Sequence, residues 1–349
     1  MSGIVGHSMD ALLGLKAADE RRLPLAGLAR KHLASYVAGA YLGSDIQIMP
    51  EAVYEKDGRE VGFGTVPLDK GALARGPVRP FRLTTPEGSL SPRQIHERFY
   101  GRAHLVFGWT QADAALRVPW DHLPDYFAAV MDDALDLFGP GQRPLAYALG
   151  WVVHVVSDSL IKGMQPGIDL NLVDGRYTPR NRPVQDLYTF HEIGIREFHL
   201  NWPAMFADMA QTPVEPLQFH YMRCAARRGA LGRLFPDGWQ PAQEPTLGVI
   251  LAENRRYVIH HAQDVLADME LHDTPQGKEC RDSLRETVGL TYAEMLMAAE
   301  KAGFRHALWQ MGEQIAAMFE QITHRCPRLA SLPADDGPSW EQIAKQWNP

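Results

Sequence analysis

Residues Ala146–Ser159 read AYALGWVVHVVSDS. Leu149, Val152, Val153 and Val156 recur at helical spacing, so the stretch is expected to form a buried helix. Two polar groups interrupt its apolar surface. His154 and Asp158 are four residues apart and share one face, a single turn from each other. An imidazole and a carboxylate turned into an apolar interior each need a partner, because burying either unsatisfied is costly. Two arrangements meet that need. The pair can hydrogen-bond to each other, or both can hold a metal ion. The spacing alone leaves both open, and it recurs at His260/Asp264 in a helix charged on several faces, where an exposed pair is the simpler reading.

Outward from this stretch, most of the chain has helical periodicity. Helices are expected over 8–20, 24–42, 91–109, 122–138 and 142–161, then over 185–201, 204–210, 214–230 and 245–271. Two long ones are expected at 276–301 and 304–325, followed by a tail helix at 339–346. Gly43 is a plausible terminator of the second, and Trp202-Pro203 is expected to break or kink the helix before it. Residues 56–92 are rich in Gly and Pro and read as a long irregular excursion, and residues 162–186 as a second insertion. No segment sustains period-two alternation, so strands should be few. The expected fold class is all-α, with long loops and a C-terminal helical extension. Chemistry-bearing residues fall between 7 and 192, which suggests a helical unit over 1–240, with 241–349 packed on the same core.

The chain has 349 residues, enough for a large core. A net charge of −7 argues against a dedicated nucleic-acid partner. The three cysteines, Cys224, Cys280 and Cys326, are far apart and odd in number, so neither a disulfide framework nor a thiolate metal site is expected. The N-terminal stretch has no basic region before an apolar run, and no transmembrane span is read; a cytoplasmic location is the expectation. Nucleotide-binding glycine motifs, H-E-x-x-H and G-x-S-x-G are absent from the sequence.

Together with the His154/Asp158 pair, His7, Asp45, His104 and His191 form an ordered set. The set resembles the zinc-dependent phospholipase C superfamily, which includes the single-strand nucleases. Its hallmark is a helix bearing H-x-x-x-D after a Leu-Gly, matched here by Leu149-Gly150 followed by His154 and Asp158. His7 in GIVGHS matches the family's early histidine. Asp45, where a helix runs out through Leu42-Gly43, matches its early carboxylate, and His104 in GRAHLVFGW matches the histidine before the hallmark helix. The likeness in order and rough spacing covers residues 1–160. After Asp158 the chain departs from the pattern. Met164 stands where the family has a histidine, and Ile195 stands where an acid should follow His191 by four; Glu192 and Asp186 are the nearby carboxylates. The family's N-terminal tryptophan has no counterpart.

The resemblance implies an all-helical fold holding one to three zinc ions, with His7, Asp45, His104, His154, Asp158 and His191 as ligands; where the pattern lapses, Glu192 or Asp186 is the candidate to replace a missing ligand, or the site holds fewer ions. It also implies a second role for Asp45, as general base. Neutral imidazoles and carboxylates suit zinc, with iron or manganese on the same donors as variants. A site with open positions makes hydroxide available near neutrality. The expected activity is therefore hydrolysis of a phosphoester, a phospholipid headgroup linkage or a small organophosphate, by metal-bound hydroxide. Lys162, Arg176, Arg180 and Arg182 would supply donors to such an anionic substrate. Two alternatives remain: a metalloenzyme of altered chemistry (lyase, cyclase or oxygen-dependent), and a non-catalytic helical protein with one structural ion. Oligomeric state is not legible.

Overall fold

A computed structural model describes residues 3–42, 52–54, 60–63, 83–85, 88–90, 120–140, 143–161, 171–175, 178, 180–211 and 262–346. The described part is all-α. Its strands form three separate antiparallel hairpins: β1 (Ala52–Tyr54) with β2 (Glu60–Phe63), β3 (Leu83–Thr85) with β4 (Gly88–Leu90), and β5 (His272–Thr274) with β6 (Gly277–Glu279). The first two pairs fall in or beside the stretch 56–92, which periodicity alone reads as irregular.

The helix α1 (Ile4–Glu20) starts four residues earlier than the periodicity suggests and so carries His7 within it. It is buried on nearly every side, from Ile4 to Ala18, so it needs cover all round. The helices α3 (Leu33–Leu42) and α5 (Arg143–Ile161) pack against it, and so does α10 (Phe304–Arg325) from the far end of the chain. Gly14 of α1 makes the last contact possible, because a Cβ there would lie 2.4 Å from the Ile315 side chain. α2 (Pro24–Lys31) opens on a proline, the residue best suited to a first helical turn. The expected helix 24–42 is split in two at His32, whose φ of −124° and ψ of 47° are not helical.

The pair α3 and α5 meets backbone to backbone. A Cβ on Gly39 would lie 2.1 Å from the Tyr147 carbonyl oxygen, and one on Gly150 would lie 2.0 Å from the Tyr36 carbonyl oxygen. Only glycine permits that approach, which gives the Leu149-Gly150 of the sequence a physical reason. α4 (Leu123–Phe138) covers α5 with Phe127 set edge-on to Trp151, ring centroids 5.6 Å apart. Among the described residues, α5 is the one helix long and apolar enough to cross a membrane, and Leu145 to Leu160 are buried within the protein.

Beyond residue 171 the chain departs further from simple helical expectation. α6 (Asn181–Tyr188) continues into a π-helical stretch, Thr189–Glu197, which ends before His199 at a positive φ of 53°. Trp202-Pro203 starts a helix, α7 (Trp202–Gln211), because proline is tolerated in a first turn. The stretch read as one helix over 276–301 is hairpin β5–β6, then α8 (Asp282–Val288) and α9 (Tyr292–Lys301). Gly289, at a φ of 71°, ends α8 in the left-handed conformation glycine tolerates, and Thr291 and Glu294 form a reciprocal capping box that starts α9. Short helices α11 (Pro327–Ala330) and α12 (Trp340–Gln346) follow. One hydrophobic core runs from Ile4 in α1 to Ile343 in α12.

Candidate metal centre

Where α1 and α5 face each other, three of the expected ligand residues come together. His7, His154 and Asp158 each offer a ligand atom, and these atoms all lie within 4.8 Å of one another. All three residues are at most 2 % exposed. The Asp158 carboxylate is shared: Oδ1 lies 3.7 Å from Nε2 of His7, and Oδ2 lies 3.5 Å from Nε2 of His154. The two imidazoles stack, with ring centroids 4.2 Å apart and planes inclined by 19°.

The orientation of His154 follows from the glycine contact between α3 and α5. With those backbones touching, Nδ1 of His154 comes within 2.8 Å of the Ala40 carbonyl oxygen. A carbonyl only accepts, so Nδ1 carries the proton and donates it. Nε2 of a neutral ring is then an acceptor turned toward a carboxylate oxygen, a contact that a second proton on the imidazole or a cation between the two would make favourable. Metal-binding histidines usually donate their remote N–H to a carbonyl or carboxylate in this way. The separations point the same way. At 3.5 and 3.7 Å they are too long for direct hydrogen bonds. They are close to the ~3.4 Å expected between two ligands about 2.1 Å from one tetrahedral ion. The three residues could hold a metal ion, and two imidazoles with one carboxylate are donors of the kind a zinc-like divalent ion takes.

A fourth polar group lies beside these and was not singled out from the sequence. Asp10 sits one turn beyond His7 on α1 and is completely buried. Neither of its carboxylate oxygens meets a donor at normal hydrogen-bond geometry among the described residues. Burial pushes its pKa up to about 7, against the pull of the nearby Ser157 hydroxyl and of the positively charged amino terminus; the Asp158 charge raises it further and His154 lowers it. The sequence does hold a signal for it: in MDALLGL, Asp10 is a lone carboxylate within an apolar run and three residues from a ligand-type histidine. Tyr36 closes the same region, with its hydroxyl donating to the Ala11 carbonyl at 3.0 Å.

His191 and Glu192 do not join this group. They lie in the π-helical stretch, where Nε2 of His191 is 2.7 Å from the Met269 carbonyl oxygen and Glu192 accepts from Arg196 at 2.7 Å. Burial lowers the His191 pKa, partly opposed by the Met269 contact. Arg180 donates from Nε to the Val288 carbonyl and from Nη1 to Asp174, both at 2.7 Å, and Arg182 lies 3.5 Å from Asp186. Arg180 thus ties the start of α6 to the end of α8, whereas the Arg182 pair lies within α6 itself. Asp45, His104, Lys162 and Arg176 lie outside the described residues, as does Met164. In the second H-x-x-x-D, Asp264 is exposed and His260 is outside the described residues. No protein-family model, curated protein or solved structure matches this chain, so the family resemblance rests on its residues alone.

Proposed function

We propose that the protein is a metal-dependent hydrolase of phosphoesters, with His7, His154 and Asp158 as ligands of a divalent ion, zinc in the first instance. The observation that carries the reading is the orientation of His154. Its Nδ1 proton is committed to Ala40, and its other nitrogen faces a carboxylate that it shares with a second imidazole. A divalent ion held by His7, His154 and Asp158 would supply Lewis acidity toward a phosphoryl oxygen and toward water. The chain's own residues supply the rest. Ala40 fixes the ring of His154, and Asp158 bridges the two histidines. The apolar walls of α1 and α5 exclude bulk water and strengthen every charge interaction inside. Asp45 keeps the base role that the resemblance gives it, and Lys162 and Arg176 the substrate-facing role suggested by their place in the basic second insertion. The substrate class likewise comes from the resemblance.

The near-complete burial of the three ligands also suits a purely structural ion, which is the second reading. One experiment separates the two. The full chain, purified without added metal, is assayed for metal content and for hydrolysis of bis(p-nitrophenyl) phosphate and phosphatidylcholine, before and after chelation. At least one zinc, iron or manganese ion per chain, with turnover lost in chelator and restored by that metal, is the expected result. One ion whose removal only lowers the melting temperature assigns the structural role. Less than about 0.2 ion per chain, with folding indifferent to chelator, overturns metal binding altogether.

A further inference from the structure

Asp10 has no assigned role in the centre, and its environment is hard to reconcile with a merely structural one. A buried polar group is normally satisfied, and each exception calls for an explanation. Both Asp10 oxygens are buried without a donor at normal geometry among the described residues. The residue lies close to Ser157, which directly precedes Asp158 on α5, and within electrostatic range of both Asp158 and His154. Two carboxylates thus act on each other in a buried setting, and the positive charge that acts on Asp10 comes from the chain's amino terminus and His154, with no lysine or arginine.

Charge counting resolves the arrangement. Among the described residues, and before any bound water ionises, two neutral imidazoles and one carboxylate around a divalent ion leave one net positive charge in a site at most 2 % exposed. Net charge is expensive in such surroundings. A second buried carboxylate next to the site brings the total to zero, and the cation in turn relieves the repulsion between the two acids. We propose that Asp10 is the charge-compensating carboxylate of the centre, a positioning residue that sets its affinity for divalent ions without belonging to the three-residue ligand group. This rests on the metal-binding reading above.

The test uses the full chain with zinc chloride as the probe. Zinc affinity is measured by competition with a chromophoric chelator, and melting temperature is measured at pH 8 with and without chelator, for the native chain and for Asp10→Asn. Asp10→Asn is expected to weaken zinc binding tenfold or more. The metal-free variant is expected to melt no lower than the metal-free native chain, because a buried carboxylate that burial disfavours has been neutralised. A structural Asp10 gives the opposite pair: a lower metal-free melting temperature and zinc affinity within twofold of native, and that result overturns the proposal. If Asp10→Asn does not fold, Asp10→Ser is read by the same criteria, and failure of both to fold also overturns it. A native chain that binds no zinc sinks the metal reading and this proposal together. Native binding with unchanged affinity in the variant sinks this proposal alone.

Discussion

The centre on α1 and α5 and the π-helical stretch around His191 are built from the same parts, and they differ in what those parts face. Each has a histidine next to an acid in an aromatic, largely buried setting, and in each one ring nitrogen is held by a backbone carbonyl, Ala40 for His154 and Met269 for His191. In the centre the remaining nitrogen of His154 is turned to Asp158, and a second imidazole stacks on the first. In the π-helical stretch the ring of His191 meets the rings of Phe190 and Tyr292 edge-on, and the neighbouring acid is taken by Arg196. A ligand-type residue becomes a ligand only when its free lone pair converges with others. Adjacency in sequence does not secure that.

The largest expected difference between the two regions is in metal content. His154→Ala or Asp158→Ala should weaken zinc binding by more than about a hundredfold, since even loss of a residue that merely orients a ligand costs 10–100-fold. His191→Ala should leave the stoichiometry unchanged. Elemental analysis of the three variants checks this, and loss of zinc in His191→Ala would return that residue to the site.

The regions should also respond to pH with opposite sign once metal is removed. Asp10 has its folded pKa raised from 3.8 to about 7. Its contribution is therefore fully present below pH 4 and is lost as pH rises toward and through 7, by at most about 4 kcal/mol for a three-unit shift. The folded pKa of His191 is lowered from 6.5. Its contribution is present above pH 6.5 and is lost as pH falls through the lowered value. Denaturant unfolding in chelator between pH 4 and 8 should show a falling limb toward high pH that Asp10→Asn flattens. His191→Gln should instead flatten any loss toward low pH. The same limb persisting in Asp10→Asn would show that other groups produce it.

A glycine in each region gives the third comparison. Gly150→Ala forces a Cβ against the Tyr36 carbonyl, part of a main chain with no room to yield. Overpacking of this kind costs about 3 kcal/mol, and here it also displaces Ala40 from His154, so melting temperature and zinc affinity should fall together. Gly194→Ala meets the Trp202 ring at 2.5 Å. That ring stacks on Phe190 at 4.9 Å and donates to the Phe190 carbonyl, and the substitution should cost about 2 kcal/mol without touching zinc affinity. Calorimetry with and without zinc distinguishes the two; a zinc defect in Gly194→Ala would mean the regions are coupled.

How much of this was legible in the sequence depended on which physical term decided each element. The hallmark helix was legible because apolar spacing and burial agree along its whole length, and His7, His154 and Asp158 were all named from the sequence. The break at His32 was not, since the apolar pattern runs through it and only local backbone geometry interrupts it. Hairpin β5–β6 was missed although Thr274-Pro275-Gln276-Gly277 is a turn signal, with Gly277 at a φ of 124°. Helical spacing on either side of it obscures the turn. Asp10 escaped because a single acid in a helix is ordinarily solvated; its burial comes from α1 being covered on all sides. His191 was over-read: pairing an imidazole with an adjacent acid says nothing about the Met269 carbonyl, 78 residues away, that holds the ring.

That all-round cover of α1 has a consequence for the order of events in folding. The helix carrying His7 is enclosed by α3 and α5 on one side and by α10, some three hundred residues later, on the other. Contacts of such separation form late, because closing long loops is entropically slow. During synthesis α5 emerges long before α10 does, so until then α1 is left without the cover that α10 provides. Assembly of the centre is thereby tied to completion of the core, and a chain arrested before residue 304 should expose the apolar face of α1 to whatever binds unfinished proteins.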